Sequence, residues 1–229
     1  YGKDVWSNLG DSGTSYIGDN EVAISGFNKI ILGEKDAVVI GSDANEEIHA
    51  GSGYATIEGN GGRDTLYGYT GADKTGMTEF IFTDGHATIE NFDFAADKIL
   101  TANEGVENIA VSGDDVYLEL FDGGRLMIDG AAGKDFDFEN NYATVTAQVS
   151  DGDLTFDGRA DYFYTTSKSG AKVEVSNEPY TAEVWLDNSK DAKFHGKITE
   201  LDASALDGDA SLVGNANDNV ITASQRNSS

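Results

Sequence analysis

Residues 59–67 read GNGGRDTLY, and the reading of this stretch decides the fold. It is one nine-residue unit among several in the same phase. Residues 41–49 read GSDANEEIH, residues 50–58 AGSGYATIE and residues 68–76 GYTGADKTG. The eighth place holds Ile48, Ile57 and Leu66, with Val39 and Ile30 in phase upstream, and the pattern fails at Thr75. Val22, Ile17 and Val5 read as older rungs of blurred phase. A strand of three or so residues cannot bury a face alone. Two such strands and two turns close one coil of about 18 residues, and stacked coils turn their apolar residues inward. The glycines let the turns adopt left-handed backbone angles. Separate hairpins with glycine turns are the competing reading, but hairpins do not hold a fixed phase through consecutive units. The prediction is an all-β chain: a parallel β-solenoid (β-roll) with an antiparallel, hairpin-rich middle segment.

Beyond the repeats the pattern changes. Phe80-Ile81-Phe82 is a dense strand, followed by Ile89, Phe92, Phe94 and Asp97-Lys98-Ile99-Leu100. Val116, Leu118 and Leu120, then Asp122-Gly123-Gly124, then Leu126 and Ile128 read as an antiparallel hairpin. Residues 91–96 allow one helical turn, and no segment carries helical periodicity. The last third returns to spaced strands, with rungs at Leu154/Phe156, Phe163, Val173/Val175, Val184/Leu186, Phe194, Ile198/Leu201, Leu212 and Ile221. Residues 214–222, GNANDNVIT, fall back into the nine-residue phase. Three segments follow: a nonapeptide-repeat solenoid at 1–76, a strand-rich junction with a hairpin at 77–150, and a looser solenoid at 151–229.

Composition narrows the function. The 229 residues carry 41 Asp+Glu against 15 Lys+Arg, a net charge of −26. Such a chain repels nucleic acid and favours divalent cations. No run approaches the roughly 18 apolar residues of a membrane helix, so membrane insertion is not expected. There is no cysteine, which excludes thiol chemistry and disulfides. His49, His86 and His195 are scattered, no GxSxG elbow occurs, and nothing singles out Arg63, Arg125 or Arg159, so no enzyme is expected.

The unit at 59–67 matches G-G-x-G-x-D-x-U-x except for Asn60 in the second glycine place. Residues 68–73 match its loop half, with Tyr69 in that same place. The chain here resembles the RTX (repeats-in-toxin) family of secreted bacterial proteins, closely over 41–100 and again over 214–222. Residues 80–82 and 89–99 look like the strands that trail RTX repeats in secreted proteases and epimerases. The resemblance implies calcium held between loops stacked one coil apart, with export and folding outside the cell.

Calcium takes six to eight oxygens at about 2.3–2.6 Å. Glycine turns expose carbonyls, and the sixth-place acid adds a charged oxygen. The resemblance implies ligands among Asp43, Glu46, Gly59, Gly61, Gly62, Asp64, Gly68, Gly71 and Asp73. It pairs Asp64 with Glu46 and stacks 68–73 on 50–55, where Ala55 supplies no carboxylate; Asn219 offers a neutral ligand at best. The competing reading is a decayed solenoid whose Asp64 and Asp73 only hydrogen-bond their turns. The function expected is a calcium-binding structural or adhesive module of a secreted or cell-surface protein, with head-to-tail stacking into a fibre or lattice if the solenoid ends are uncapped. The alternative is a carbohydrate-binding accessory module of an extracellular polysaccharide-active enzyme. The cluster Tyr162, Phe163, Tyr164, Tyr180 and Trp185 then contacts sugar rings instead of filling the core.

Overall fold

The computed structural model describes residues 5–9, 15–17, 20–22, 26–101, 106–120, 123–139, 144–150, 153–157, 163–165, 171–175, 182–185, 198–204, 210–213 and 218–223. Among these the chain is all-β, with no helix. The expected rung Phe194, the aromatics Tyr162 and Tyr180, His195 and Arg159 lie outside the described residues, as do the side chains of Phe163, Tyr164 and Trp185. The chain divides into two compact units, one of Tyr1–Glu104 with Asp122–Asp129, the other of Gly105–Phe121 with Gly130–Ser229.

The first unit is the solenoid. Its strands are β1 (Val5–Asn8), β2 (Ser15–Ile17), β3 (Asn20–Val22), β4 (Lys29–Ile31), β5 (Ala37–Ile40), β6 (Glu47–His49), β7 (Ala55–Glu58), β8 (Arg63–Tyr67), β9 (Thr78–Phe82), β10 (His86–Glu90) and β11 (Lys98–Thr101). After β12 (Val106–Ser112) and β13 (Asp115–Leu120), which belong to the second unit, β14 (Arg125–Ile128) belongs to the first. Alternate strands feed two parallel ladders. One runs β1-β5-β7-β9-β11 and the other β4-β6-β8-β10-β14.

The eighth-place residues become the core. Val39, Ile57, Phe80 and Ile99 line up across β5, β7, β9 and β11. Ile30, Ile48, Leu66, Ile89 and Ile128 line up across the other ladder. All but Ile30 are almost completely buried. Each such side chain contributes roughly 1.5–3 kcal/mol by leaving water, so these columns are where the stack gains most of its apolar burial.

The coil length is not constant. From β5 to β7 the register advances eighteen places, Ala37 to Ala55. From β7 to β9 it advances twenty-three, Ala55 to Thr78. The extra residues lie in the turn after β8, where the sequence pattern fails at Thr75. Upstream, β1 continues the first ladder, but Ser7 and not Val5 lies opposite the rung residue Val39, and Ile17 and Val22 belong to the antiparallel β2 and β3.

The second unit mixes both kinds of pairing. Beyond β12 and β13 its strands are β15 (Asp135–Glu139), β16 (Thr144–Ser150), β17 (Asp153–Asp157), β18 (Phe163–Thr165), β19 (Ala171–Val175), β20 (Ala182–Trp185), β21 (Ile198–Asp202), β22 (Ala210–Val213) and β23 (Val220–Thr222). The antiparallel pairs are β12 with β13, and β15-β16-β17. The first turns at Gly113-Asp114, with Gly113 at φ 66°, a turn additional to the one expected at 122–124; β14, which follows the latter, also pairs in parallel with β10. Farther on, Leu154, Val173, Leu201 and Ile221 align across the parallel β17, β19, β21 and β23. Val184 lies opposite Leu212 in β20 and β22. These are rungs read from spacing alone.

Candidate metal centre

Two turns of the first unit lie one coil apart, residues 41–46 between β5 and β6, and residues 59–62 between β7 and β8 with Asp64 just beyond. They stack position for position. A Cβ on Gly41 would strike the Gly59 carbonyl, and one on Gly62 would strike the Ala44 carbonyl. The Arg63 N–H donates to Asn45 Oδ1 at 2.9 Å, and the Glu46 N–H to Asp64 Oδ1 at 2.9 Å. Gly62 sits at φ 89° and Asn60 at φ 65°. Asparagine tolerates that left-handed angle, which explains its place where the repeat calls for glycine.

Both carboxylates are inside, with Glu46 4% and Asp64 3% exposed. Glu46 closes its own turn, its Oε1 accepting from Ser42 Oγ at 2.6 Å and its Oε2 from the Ser42 N–H at 3.2 Å. Asp64 points inward because it shares a register column with Ala87 and Leu126. Its Oδ1 takes the Glu46 N–H, while its Oδ2 is buried with no hydrogen-bond partner among the described residues. Burial pushes the Asp64 carboxyl up to about 7; the Glu46 N–H opposes this and the Glu46 charge adds to it. A buried anionic oxygen left unsatisfied is costly, and a proton or a cation at Asp64 Oδ2 would relieve that cost.

The donor set suits a hard cation. Two buried carboxylates converge from neighbouring coils, and the glycine turns bring backbone carbonyls, Gly59 among them, to the same edge. Asp43 lies at the rim, exposed and next to Gly61. Among the described residues no group of three or more His, Asp or Glu side chains is placed to hold a metal. Backbone oxygens would therefore supply most of a calcium shell here, with Glu46 and Asp64 supplying the charge.

The other expected ligands go elsewhere. Ala55 lies across from Thr78 and not from Asp73. Asp73 is exposed and accepts the Tyr69 hydroxyl at 2.7 Å. Gly71 packs against the Tyr69 ring, and Gly68 lies under the Asn91 carbonyl. Five extra residues in this coil carry Asp73 out of the register that the nine-residue phase assigns it. Asn219 is in the second unit, just before β23.

A third turn, residues 91–97, forms a site that the spacing did not reveal. The Asp97 side chain is fully buried. Its Oδ1 accepts the Thr78 N–H at 2.8 Å and the Lys74 ammonium at 2.7 Å, and its Oδ2 accepts the Asp93 N–H at 3.1 Å. Lys74 also donates to Asp93 Oδ2 at 3.0 Å. Burial works against the Lys74 charge, but hydrogen bonds to Asp97 and Asp93 outweigh it and leave the ammonium pKa raised. The same contact with Lys74 lowers that of Asp93. A signal was present: an acid stands two places before the buried rung residue in Glu46/Ile48, Asp64/Leu66 and Asp97/Ile99.

No known protein family and no curated protein matches the chain in sequence.

Proposed function

We propose that the solenoid is a calcium-binding structural or adhesive module of a secreted or cell-surface bacterial protein, of the RTX kind that residues 59–67 resemble. The observation that carries this reading is Asp64 Oδ2, buried and without a partner, one coil away from buried Glu46. In the absence of a cation the two acids crowd each other inside the stack and oppose folding. A cation that binds only the stacked turns contributes its binding free energy to folding. Such a chain stays loosely folded where calcium is scarce and closes where it is abundant, as outside a cell. Glu46, Asp64 and the carbonyls of 41–46 and 59–64 hold the ion. Asp43 lies at the edge of that shell, and Gly59, Gly61 and Gly62 let the turns approach. Head-to-tail association would use sheet edges such as β23, whose Val220 and Ile221 are exposed, and electron microscopy with calcium distinguishes fibres from dispersed particles.

The test is the melting temperature in chelator and in millimolar calcium, followed by circular dichroism. A rise of several degrees with calcium and none with magnesium is expected, since magnesium demands a smaller, more rigid shell. Identical melting in chelator and calcium would remove the proposal.

One observation favours the carbohydrate-binding reading as a second possibility. Arg63, His86 and Arg125 occupy a single register column across β8, β10 and β14. Arg63 and Arg125 are exposed. Three basic groups in one row, on a chain of net charge −26, suit a carboxylated polysaccharide lying along the coils. Binding of a polyuronate that is lost in Arg63→Ala supports it, and a glycan array with no acidic ligand counts against it.

A further inference from the structure

Asp97 stands to Thr78 as Asp64 stands to Glu46. Each carboxylate accepts a backbone N–H from the preceding coil of its own ladder, at 2.8 Å and 2.9 Å respectively. Each acid lies two places before a buried rung residue, Ile99 or Leu66. The two turn stacks differ in what else meets each carboxylate. At Asp64 nothing among the described residues meets Oδ2. At Asp97 the Asp93 N–H meets Oδ2, and the Lys74 ammonium joins the Thr78 N–H on Oδ1 and also reaches Asp93 Oδ2.

We infer that Lys74 is a tethered cation, filling the place in the 68–77/91–97 turn stack that a divalent ion takes in the 41–46/59–64 stack. The longer coil makes this placement understandable. Its extra residues carry Asp73 to the surface and bring Lys74, 15% exposed in its side chain, back onto Asp93 and Asp97. The surroundings also suit a cation site. The Thr78 hydroxyl is buried with no partner of its own, on the residue whose N–H meets Asp97. One fixed positive charge between two carboxylates needs no ion from solution.

The consequence is an asymmetric solenoid. The turn stack around Lys74 closes at any calcium concentration, and strands β9 and β11, which it joins, stay paired as a folded seed. The stack around Asp64 waits for its ion. The inference rests on the calcium reading only for this contrast between the two stacks.

The test uses the whole chain, with Lys74→Met removing the charge while keeping the aliphatic stem. Calorimetric titration with calcium, repeated in Lys74→Met/Asp97→Asn, counts the ions, and hydrogen exchange in chelator follows each strand. In the wild type, amides of 78–82 and 98–101 are expected to keep their protection in chelator while those of 47–49 and 63–67 lose it. Lys74→Met is expected to lose the protection of 78–82 and 98–101 in chelator, regain it with calcium, and bind one more calcium per chain than the wild type. The double variant is expected not to gain that ion. A Lys74→Met chain that folds and gains no ion overturns the inference. If Lys74→Met does not fold at any calcium concentration, the wild-type exchange pattern decides, and equal loss of protection at both stacks on chelation overturns it. A wild type that binds no calcium, beside a Lys74→Met variant that gains an ion, would sink the proposed function and leave this inference standing.

Discussion

The carboxylate of Asp64 accepts the backbone N–H of Glu46, eighteen residues earlier, at 2.9 Å. That single bond ties one coil to the next at the edge where both side chains are buried acids. It leaves Asp64 Oδ2 without a protein partner among the described residues. The predictions about metal, proton and packing follow from this geometry.

Asp64→Asn keeps the shape and removes the charge. In chelator at pH 8 the variant is expected to be more stable than the wild type, by on the order of 1–3 kcal/mol, because a buried unpaired anion is replaced by a neutral amide. In calcium the order reverses, since the wild type gains the ion and the variant does not. Denaturant melts in both buffers measure the crossing. A variant that gains as much from calcium as the wild type excludes Asp64 as a ligand.

The pH dependence has a definite sign. A carboxyl whose pKa is raised on folding stabilises the folded state below its unfolded value, near 3.8, and loses that contribution as pH rises through about 7. Without calcium, stability is expected to fall over that window. Calcium competes with the same proton, so its affinity is expected to rise from pH 6 to pH 8. Titrations at several pH values check this, and an affinity flat across the window places the ion elsewhere.

Close stacking makes particular glycines irreplaceable. Gly41→Ala drives a methyl group into the Gly59 carbonyl and is expected to cost roughly 1–3 kcal/mol and weaken calcium binding. Gly33→Ala meets open space at an ordinary backbone angle, so its expected effect is within about 0.5 kcal/mol. Equal effects in chemical denaturation would mean the turns are not stacked in this register.

The rungs carry the core. Ile57 lies between Val39 and Phe80 in its column and is fully buried; Ile57→Ala is expected to cost about 2–5 kcal/mol. Ile31, 69% exposed, is the control, and Ile31→Ala is expected to change stability by under about 0.5 kcal/mol. Melts of both variants measure the contrast.

The rungs were legible because one large apolar residue per nine is a periodic signal, and Ile48, Ile57 and Leu66 could be read as core directly. Pairing of Glu46 with Asp64 was legible for the same reason, since eighteen residues is two units. What hid the rest was a change of period. Five additional residues between Ala55 and Thr78 shift the register, so Asp73 occupies the sixth place of a sequence unit but an exposed place in the fold. Asp97 occupies the corresponding structural place with no glycine loop before it. Arg63, His86 and Arg125 were unremarkable in sequence because the column joining them spans coils of unequal length. The hairpin at Gly113-Asp114 went unread for a different reason: alternation continues on both sides of two glycine-containing turns, and the denser apolar run after Val116 drew the reading to the second of them alone.

The most direct measurement is a crystal structure grown in calcium, with an anomalous difference map collected at long wavelength. The expected result is a peak between turns 41–46 and 59–64, within about 2.3–2.6 Å of Asp64 Oδ2 and of several backbone carbonyl oxygens. A well-ordered map with no peak at that pair of turns, and Asp64 Oδ2 bonded to a protein group instead, would contradict calcium binding there.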